Sequence, residues 1–228
     1  MDRKVKIFIM ASSLILIPLA AAIWIYITIN SVTEPSGPLS VGDYIEFGEH
    51  EWQILYIEED RMLLISRHIL SIRQFDETQR SVNWERSCLR HWLNDDFYLG
   101  FSEDQQERIV LTHLPNSQNP WFDSDSGWDT YDKIFALSAE EVVRYFGDSG
   151  ELEEKLGSGH FIDDEFNYGR RAYHDRYGYM HWFTRTMGFN NTVVVVVTAD
   201  GRIFMFGGSD YMFAGVRPAM WIFLEDEM

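Results

Sequence analysis

Residues 182–224 read WFTRTMGFNNTVVVVVTADGRIFMFGGSDYMFAGVRPAMWIFL, and this run decides the fold. Val193 to Val197 are consecutive β-branched residues, bounded by Asn190-Asn191 before and Asp200-Gly201 after. A short unbroken apolar run between turn signals predicts a strand buried on both faces. Asp200-Gly201 suits a two-residue hairpin loop of type I′, which needs positive φ at both central positions. Arg202 to Phe206 then returns as the partner strand, and Gly207-Gly208 opens a loop. Gly215 to Leu224 closes the domain as a third strand. Pro218 has no N–H to give a ladder, so it belongs at a bulge, an edge or the strand's entry.

Upstream of this run the pattern predicts three more strands, Tyr44 to Phe47, Glu51 to Ile57 and Met62 to Ser66. The acidic turn Glu58-Glu59-Asp60 joins the last two. Trp52, Ile54 and Tyr56 alternate with Gln53, Leu55 and Ile57, which favours a sheet buried on more than one side. Ser81 to Asn94 reads as a helix whose apolar stripe is Cys88, Leu89, Trp92 and Leu93. Ser102-Glu103-Asp104-Gln105 and Ser138-Ala139-Glu140-Glu141 are capping boxes that open two further helices. Gly147 ends the second at its C′ position. Between them Pro115 to Asp132 is a long, polar, tryptophan-bearing loop, and Asp148 to Tyr179 is an irregular stretch rich in Gly, Asp and Tyr. Loops beyond about 12–15 residues tend to be functional or disordered. The class is α+β: a mixed or antiparallel sheet with a few short helices and long loops.

Ile7 to Ile29 carries no formal charge. As a helix rising about 1.5 Å per residue it reaches roughly 35 Å, enough for a hydrocarbon core of about 30 Å. A cleaved signal peptide is the rival reading, since Ala20-Ala21-Ala22 supplies small residues. The apolar run continues through Ile23 to Ile27, however, and secretory cores usually span about 7–15 residues. Arg3, Lys4 and Lys6 precede the span with no comparable basic cluster after it, so the N-terminus stays cytoplasmic and the domain lies outside. The expected order is a cytoplasmic tail (1–6), a transmembrane helix (7–29), a linker (30–40), the domain (41–224) and an acidic tail (225–228).

Net charge is −17, and beyond residue 33 the balance is 16 basic against 35 acidic residues. Such a field repels nucleic acid and anionic lipid and keeps a domain soluble. Cys88 is the single cysteine, which excludes an intramolecular disulfide.

Trp182-Phe183-Thr184-Arg185, the Asp200-Gly201 turn and Gly215-Val216-Arg217-Pro218-Ala219-Met220-Trp221 resemble the end of an uncharacterised bacterial family. Domains of that family, of unknown function, finish W-W-L-R-S, a valine-rich strand, D-G and G-V-R-P-A-L-W-L. Val41-Gly42-Asp43, Trp52, Leu63-Leu64-Ile65-Ser66, Leu89 to Asn94 and Asp132-Lys133-Ile134-Phe135 are similar too, so the resemblance runs from about residue 39 to 224. Thr184 and Thr186 depart from the family's Leu and Ser. By analogy the closing pattern resembles C-type-lectin-like and formylglycine-generating-enzyme folds. The copper chemistry of the latter uses a cysteine pair that this chain lacks.

Asp123, Asp125 and Asp129 stand around a glycine turn with Asp132 nearby, and together they offer oxygen ligands of the kind calcium takes. The loop has Ile134 where an EF-hand has its closing glutamate, and the competing reading is a solvated acidic loop whose aspartates make their own turns. Cys88 and His91 share a helical face, but no third group orients the histidine. The seven histidines show no metal-ligand spacing, and Gly157-Ser158-Gly159 lacks the lysine of a phosphate loop. Arg185 and Arg217, with Arg90, are candidates for gripping an anionic ligand through guanidinium forks. Alternatively each pairs with a partly buried acid such as Asp132 and pins a loop to the sheet. Trp121, Trp128 and Tyr179 are candidates for stacking on a sugar or gripping a protein; the alternative is a set of mini-cores under long loops. With no recognisable nucleophile or base, the expectation is a membrane-anchored, extracytoplasmic recognition domain without catalysis, its ligand a glycan, peptide or envelope component. An envelope enzyme with a loop-assembled site, or a structural ectodomain, is the alternative.

Overall fold

Two β-sheets carry the domain, and the chain passes from one to the other at Arg217-Pro218. A computed structural model of the protein describes residues 38–78, 81–155, 158–210 and 212–224, and the folded unit begins at Ser40. The expected span 7–29, both tails and most of the linker lie outside the described residues. Among the described residues, no helix is long and apolar enough to cross a membrane.

The first sheet has the order β1-β2-β3-β14, with β1 at Tyr44–Phe47, β2 at His50–Ile57, β3 at Arg61–Ser66 and β14 at Ala219–Phe223. All three pairings are antiparallel. Leu64 lies opposite Ile54 on one side and Met220 on the other, so the central strand is apolar from both directions. A register shift between Ile54 and Tyr56 makes Leu55 an extra residue. Ile54 and Leu55 are therefore both buried, while Tyr56 turns outward. Strict alternation through Ile57 does not survive this bulge. Trp52 is fully buried and its indole N–H donates to the Phe47 carbonyl at 2.8 Å.

The second sheet has the order β4-β13-β10-β11-β12-β7. These strands are β4 Ser71–Arg73, β13 Ala214–Val216, β10 Trp182–Met187, β11 Val193–Val197, β12 Ile203–Ser209 and β7 Phe161–Ile162. Only β10 and β13 run parallel, which makes the sheet mixed. Val194 to Val197 are buried on both faces, as the valine run predicts.

Two details correct the sequence reading. The hairpin between β11 and β12 has a three-residue loop, Ala199-Asp200-Gly201. Gly201 N–H returns to the Thr198 carbonyl at 2.8 Å and Thr198 N–H donates to Arg202. Only Gly201 takes a positive φ, at 92°, so this is a type I turn closed by a glycine bulge and not a type I′ loop. A Cβ at Gly201 would sit 1.8 Å from the Asn167 carbonyl oxygen, so no side chain fits there. The final strand is also two strands. Gly215 pairs with Ile72 and Ala219 with Ile65, each in a different sheet. Pro218, lacking an N–H, marks the switch, and its carbonyl accepts from Ser66 N–H at 2.9 Å.

The helix expected from Ser81 begins late. Ser87 has an extended backbone and its Oγ accepts from Arg90 N–H, which caps α1 at Cys88–Trp92. Trp84–Arg86 forms a separate 3-10 turn. Both expected capping boxes are formed, opening α2 (Glu103–Arg108) and α3 (Ala139–Phe146), and Gly147 follows α3 at a φ of 127°. The long loop ends in a strand, since β5 (Thr112–Leu114) pairs with β6 (Thr130–Asp132). The class is mostly β with short helices, an α+β arrangement.

Candidate functional site

Strand alternation builds the candidate site. Along β12, Ile203 and Met205 face the core and are fully buried, while Phe204 and Phe206 point the other way and stay half-exposed. Val196 lies opposite Phe204 and shares its face. On the other side of β12 the two-residue strand β7 pairs Phe161 with Phe204, and their rings stack with centroids 4.6 Å apart. Phe206 continues the row, stacked on Phe189 at 4.1 Å and on His160 at 5.6 Å. The result is a ribbon of half-buried rings along one sheet face. Beside it lies an open groove of about 510 Å³ whose apolar floor includes Phe161, Val196, Phe204 and Met212. A Cβ at Gly208 would lie 2.6 Å from the Met212 sulfur, so the missing side chain is what lets Met212 settle there.

One end of the groove is polar. Arg202 stands over the Phe161 ring at 4.5 Å and pairs with Asp200 at 2.9 Å. The Thr198 hydroxyl donates to Asp200; this bond, with the Arg202 charge, holds the carboxyl below its ordinary range. His181 Nδ1 accepts from Ala199 N–H at 3.1 Å, so the neutral ring carries its proton on Nε2. The turn at this end touches the next element. Arg171 Cγ would lie 3.1 Å from a Cβ on Gly201, and the Arg171 guanidinium stacks 3.6 Å over the Tyr179 ring. Tyr179 belongs to the hairpin of β8 (Tyr173–His174) and β9 (Gly178–Tyr179), where its ring meets Tyr173 at 5.4 Å.

The profile of DUF6273, a domain of unknown function, matches residues 59–224, from the turn before β3 to the end of β14 and across every strand of the groove. The chain belongs to this family. No curated protein and no solved structure matches the chain. Strands β1 and β2 precede the DUF6273 match, yet β2 is hydrogen-bonded to β3 along its length and buries Trp52.

The residues singled out from the sequence do not converge. Among the ring contacts, none joins Trp121, Trp128 and Tyr179 to one another. Trp121 is half-buried and its indole N–H donates to the Leu152 carbonyl at 2.7 Å. Trp128 is 76% exposed beside a polar cleft shared with Glu85, Arg86 and Asp125. Tyr179 alone lies next to the groove, through Arg171. Arg185 is buried and forks onto Glu141, which is the pairing alternative. Burial alone would raise the Glu141 pKa, but the Arg185 charge outweighs it and holds the carboxyl below the ordinary range. Arg90 likewise pairs with Asp132 at 2.7 Å.

Arg217 departs from that pairing. It is buried between the two sheets, over the Trp182 ring at 5.4 Å and the Phe146 ring at 5.2 Å, with Nε donating to the Ser66 carbonyl. It has no carboxylate within ion-pair reach among the described residues, and burial lowers its pKa to about 10. Its place at the sheet switch makes it a clamp between sheets, held by a carbonyl and ring faces.

Three of the four aspartates of the loop are engaged within the protein. Asp132 accepts from Arg90 and Trp84, and from the Thr130 hydroxyl at 2.8 Å. Asp125 closes its own turn onto Gly127 N–H, and Asp129 accepts from Asn116 N–H with His113 Nε2 at 3.3 Å. Asp123 is exposed and forms no part of these bonds. Among the described residues no three His, Cys, Asp or Glu side chains are grouped to hold a metal ion.

Other residues were missed. Arg170 and Asp164 form a fully buried pair at 2.8 Å, and Asn119 donates to the carbonyls of both Met187 and Met205. The groove's phenylalanines are scattered over 161, 189, 204 and 206, though the I-F-M-F alternation of β12 marks two of them.

Proposed function

We propose that this DUF6273 domain recognises a ligand of the bacterial cell envelope without transforming it, and that the groove over β7, β11 and β12 is where the ligand lies. The membrane segment at 7–29 would hold the domain on the outer face. The observation that carries this reading is the ribbon of stacked, half-exposed rings bordering an apolar floor with a polar end. Exposed apolar surface rimmed by polar groups is how proteins mark a binding site. His181 is the histidine that lines the groove, and its Nδ1 is tied to the Ala199 N–H of the turn. What favours a lectin-like arrangement is the pairing of β14 with β3, which ties the end of the domain to its beginning.

The test is co-sedimentation of the full-length protein, in detergent micelles, with purified bacterial sacculi. Wild type is expected to pellet with the sacculi. Phe204→Ser with Phe206→Ser is expected to stay in the supernatant while melting as a folded domain. Equal pelleting of the folded variant removes the groove from the binding surface, and absence of pelleting by wild type removes the sacculus as the ligand.

A further inference from the structure

We infer that the ligand is a sugar chain bearing carboxylate groups, and that Arg171 reads those carboxylates at the polar end of the groove. The inference rests on the groove being a binding surface. Its own footing is the state of Arg171. Arg170 is mated to Asp164 and Arg185 to Glu141, while buried Arg217 is held by a carbonyl and ring faces; Arg171 differs from all three in being only half-buried. Arg171 has no carboxylate among the described residues. Its guanidinium lies over the rings of Tyr179 at 3.6 Å and Tyr168 at 5.5 Å. A half-buried guanidinium that lies over ring faces and has no carboxylate partner can offer its two terminal nitrogens to a carboxylate in bidentate fashion.

The surroundings fit a sugar. Tyr168 is 77% exposed and Tyr179 46% exposed, so aromatic surface remains open on the hairpin side, and half-exposed Phe204 borders the groove. The C–H edges of a pyranose carry slight positive charge and meet the negative face of an aromatic ring favourably. The charge pattern fits an anion. In a chain of net charge −17, residues 171–182 hold Arg171 and Arg176 against Asp175, while the neighbouring Arg170 is already paired with Asp164. Solvent ions screen charges beyond about 8 Å at physiological salt, so this local cluster governs what approaches, not the acidic surface elsewhere. The contact between Arg171 and the Gly201 turn joins the cluster to the groove, so one chain-like ligand can span both.

The experiment is calorimetric titration of the full-length protein in micelles with galacturonate hexamer and with its fully methyl-esterified form, which has the same rings without charge. The acid form is expected to bind at least ten times more tightly than the ester. Arg171→Met is expected to lower affinity for the acid about tenfold and leave the ester unchanged. Arg171→Lys, which keeps the charge and loses the fork, is expected to fall between. Equal binding of acid and ester, abolished by Phe204→Ser, overturns the role of Arg171 and leaves the groove standing. Binding of both that survives Phe204→Ser in a folded variant overturns the groove. If neither hexamer binds while sacculi still do, the carboxylated sugar is overturned and the groove again stands.

Discussion

The loop at 115–132 and the segment at 160–181 look alike in sequence: both are long and rich in aromatic residues. In the fold they do opposite things. The first turns its polar groups inward. Asn119 reaches two strand carbonyls, Asn116 holds the Trp128 carbonyl at 2.7 Å, and Asp132 collects Arg90, Trp84 and Thr130. The second keeps one buried pair, Arg170 with Asp164, as its root and leaves its tyrosines outward, with Arg171 and Arg176 lying on tyrosine rings. A loop whose hydrogen bonds close on themselves is scaffold, and one that leaves rings and a cation unpaired is surface for something else. Composition does not separate the two; the partner of each polar atom does.

The largest effect that sharpens this contrast is expected at Asp132. Asp132→Ala strands the Arg90 guanidinium and the buried Trp84 N–H together. Breaking a buried pair in this way costs about 3–5 kcal/mol. Urea unfolding is the measurement, and a loss below about 1 kcal/mol would mean that the loop is not anchored there. Asn119→Leu comes next. It removes the donor to Met187 and Met205 carbonyls and the acceptor for Trp121 N–H, at about 1–3 kcal/mol for buried groups left unsatisfied. Hydrogen exchange should quicken at 115–132 and not in the β8–β9 hairpin.

Acid is expected to loosen the roots of both regions together. Burial acts to raise the pKa of Asp164, but hydrogen bonds from Arg170 and Ser149 outweigh it and hold the carboxyl below its ordinary value. Glu141, which fixes Arg185 and through it the Pro115 carbonyl, is depressed in the same sense. A carboxyl depressed in the folded state lends stability that is fully present above the unfolded value, about 4. That stability is lost as pH falls through the folded value. Melting temperature should therefore hold steady down to the ordinary carboxylate range and drop below it. Asp164→Asn should flatten part of the drop; an unaltered profile would show that the pair does not titrate with unfolding.

The strands were legible because period and turn chemistry act locally: Val193 to Val197, Tyr44 to Phe47 and the two serine caps all fall where the sequence puts them. The break at Arg217-Pro218 was not, because an apolar run reads the same whether its halves join one sheet or two. The groove was illegible for another reason. Phe161, Phe189 and Phe204 meet only through β pairing and loop return, and nothing near any of them in sequence announces the others. Tyr179 is partly exposed beside the groove, whereas Trp121 and Arg185, also singled out from the sequence, sit in anchoring roles.

The smallest effect on stability is expected at Arg171, and its smallness is the point. Arg171→Met keeps a long apolar stem against Tyr179 and gives up a cation–π contact worth about 0.5–1 kcal/mol at an exposed site. It also removes an Nε that is buried without a partner, which by itself costs free energy in the native state. The two terms oppose each other, and the net change should lie within about 0.5 kcal/mol of zero. The same replacement at Arg185, which leaves Glu141 buried and unpaired, should cost several times more. Side-by-side urea melts of the two variants decide the matter. Comparable losses would show that Arg171 is a structural clamp like Arg185, and the contrast between the two regions would then fail.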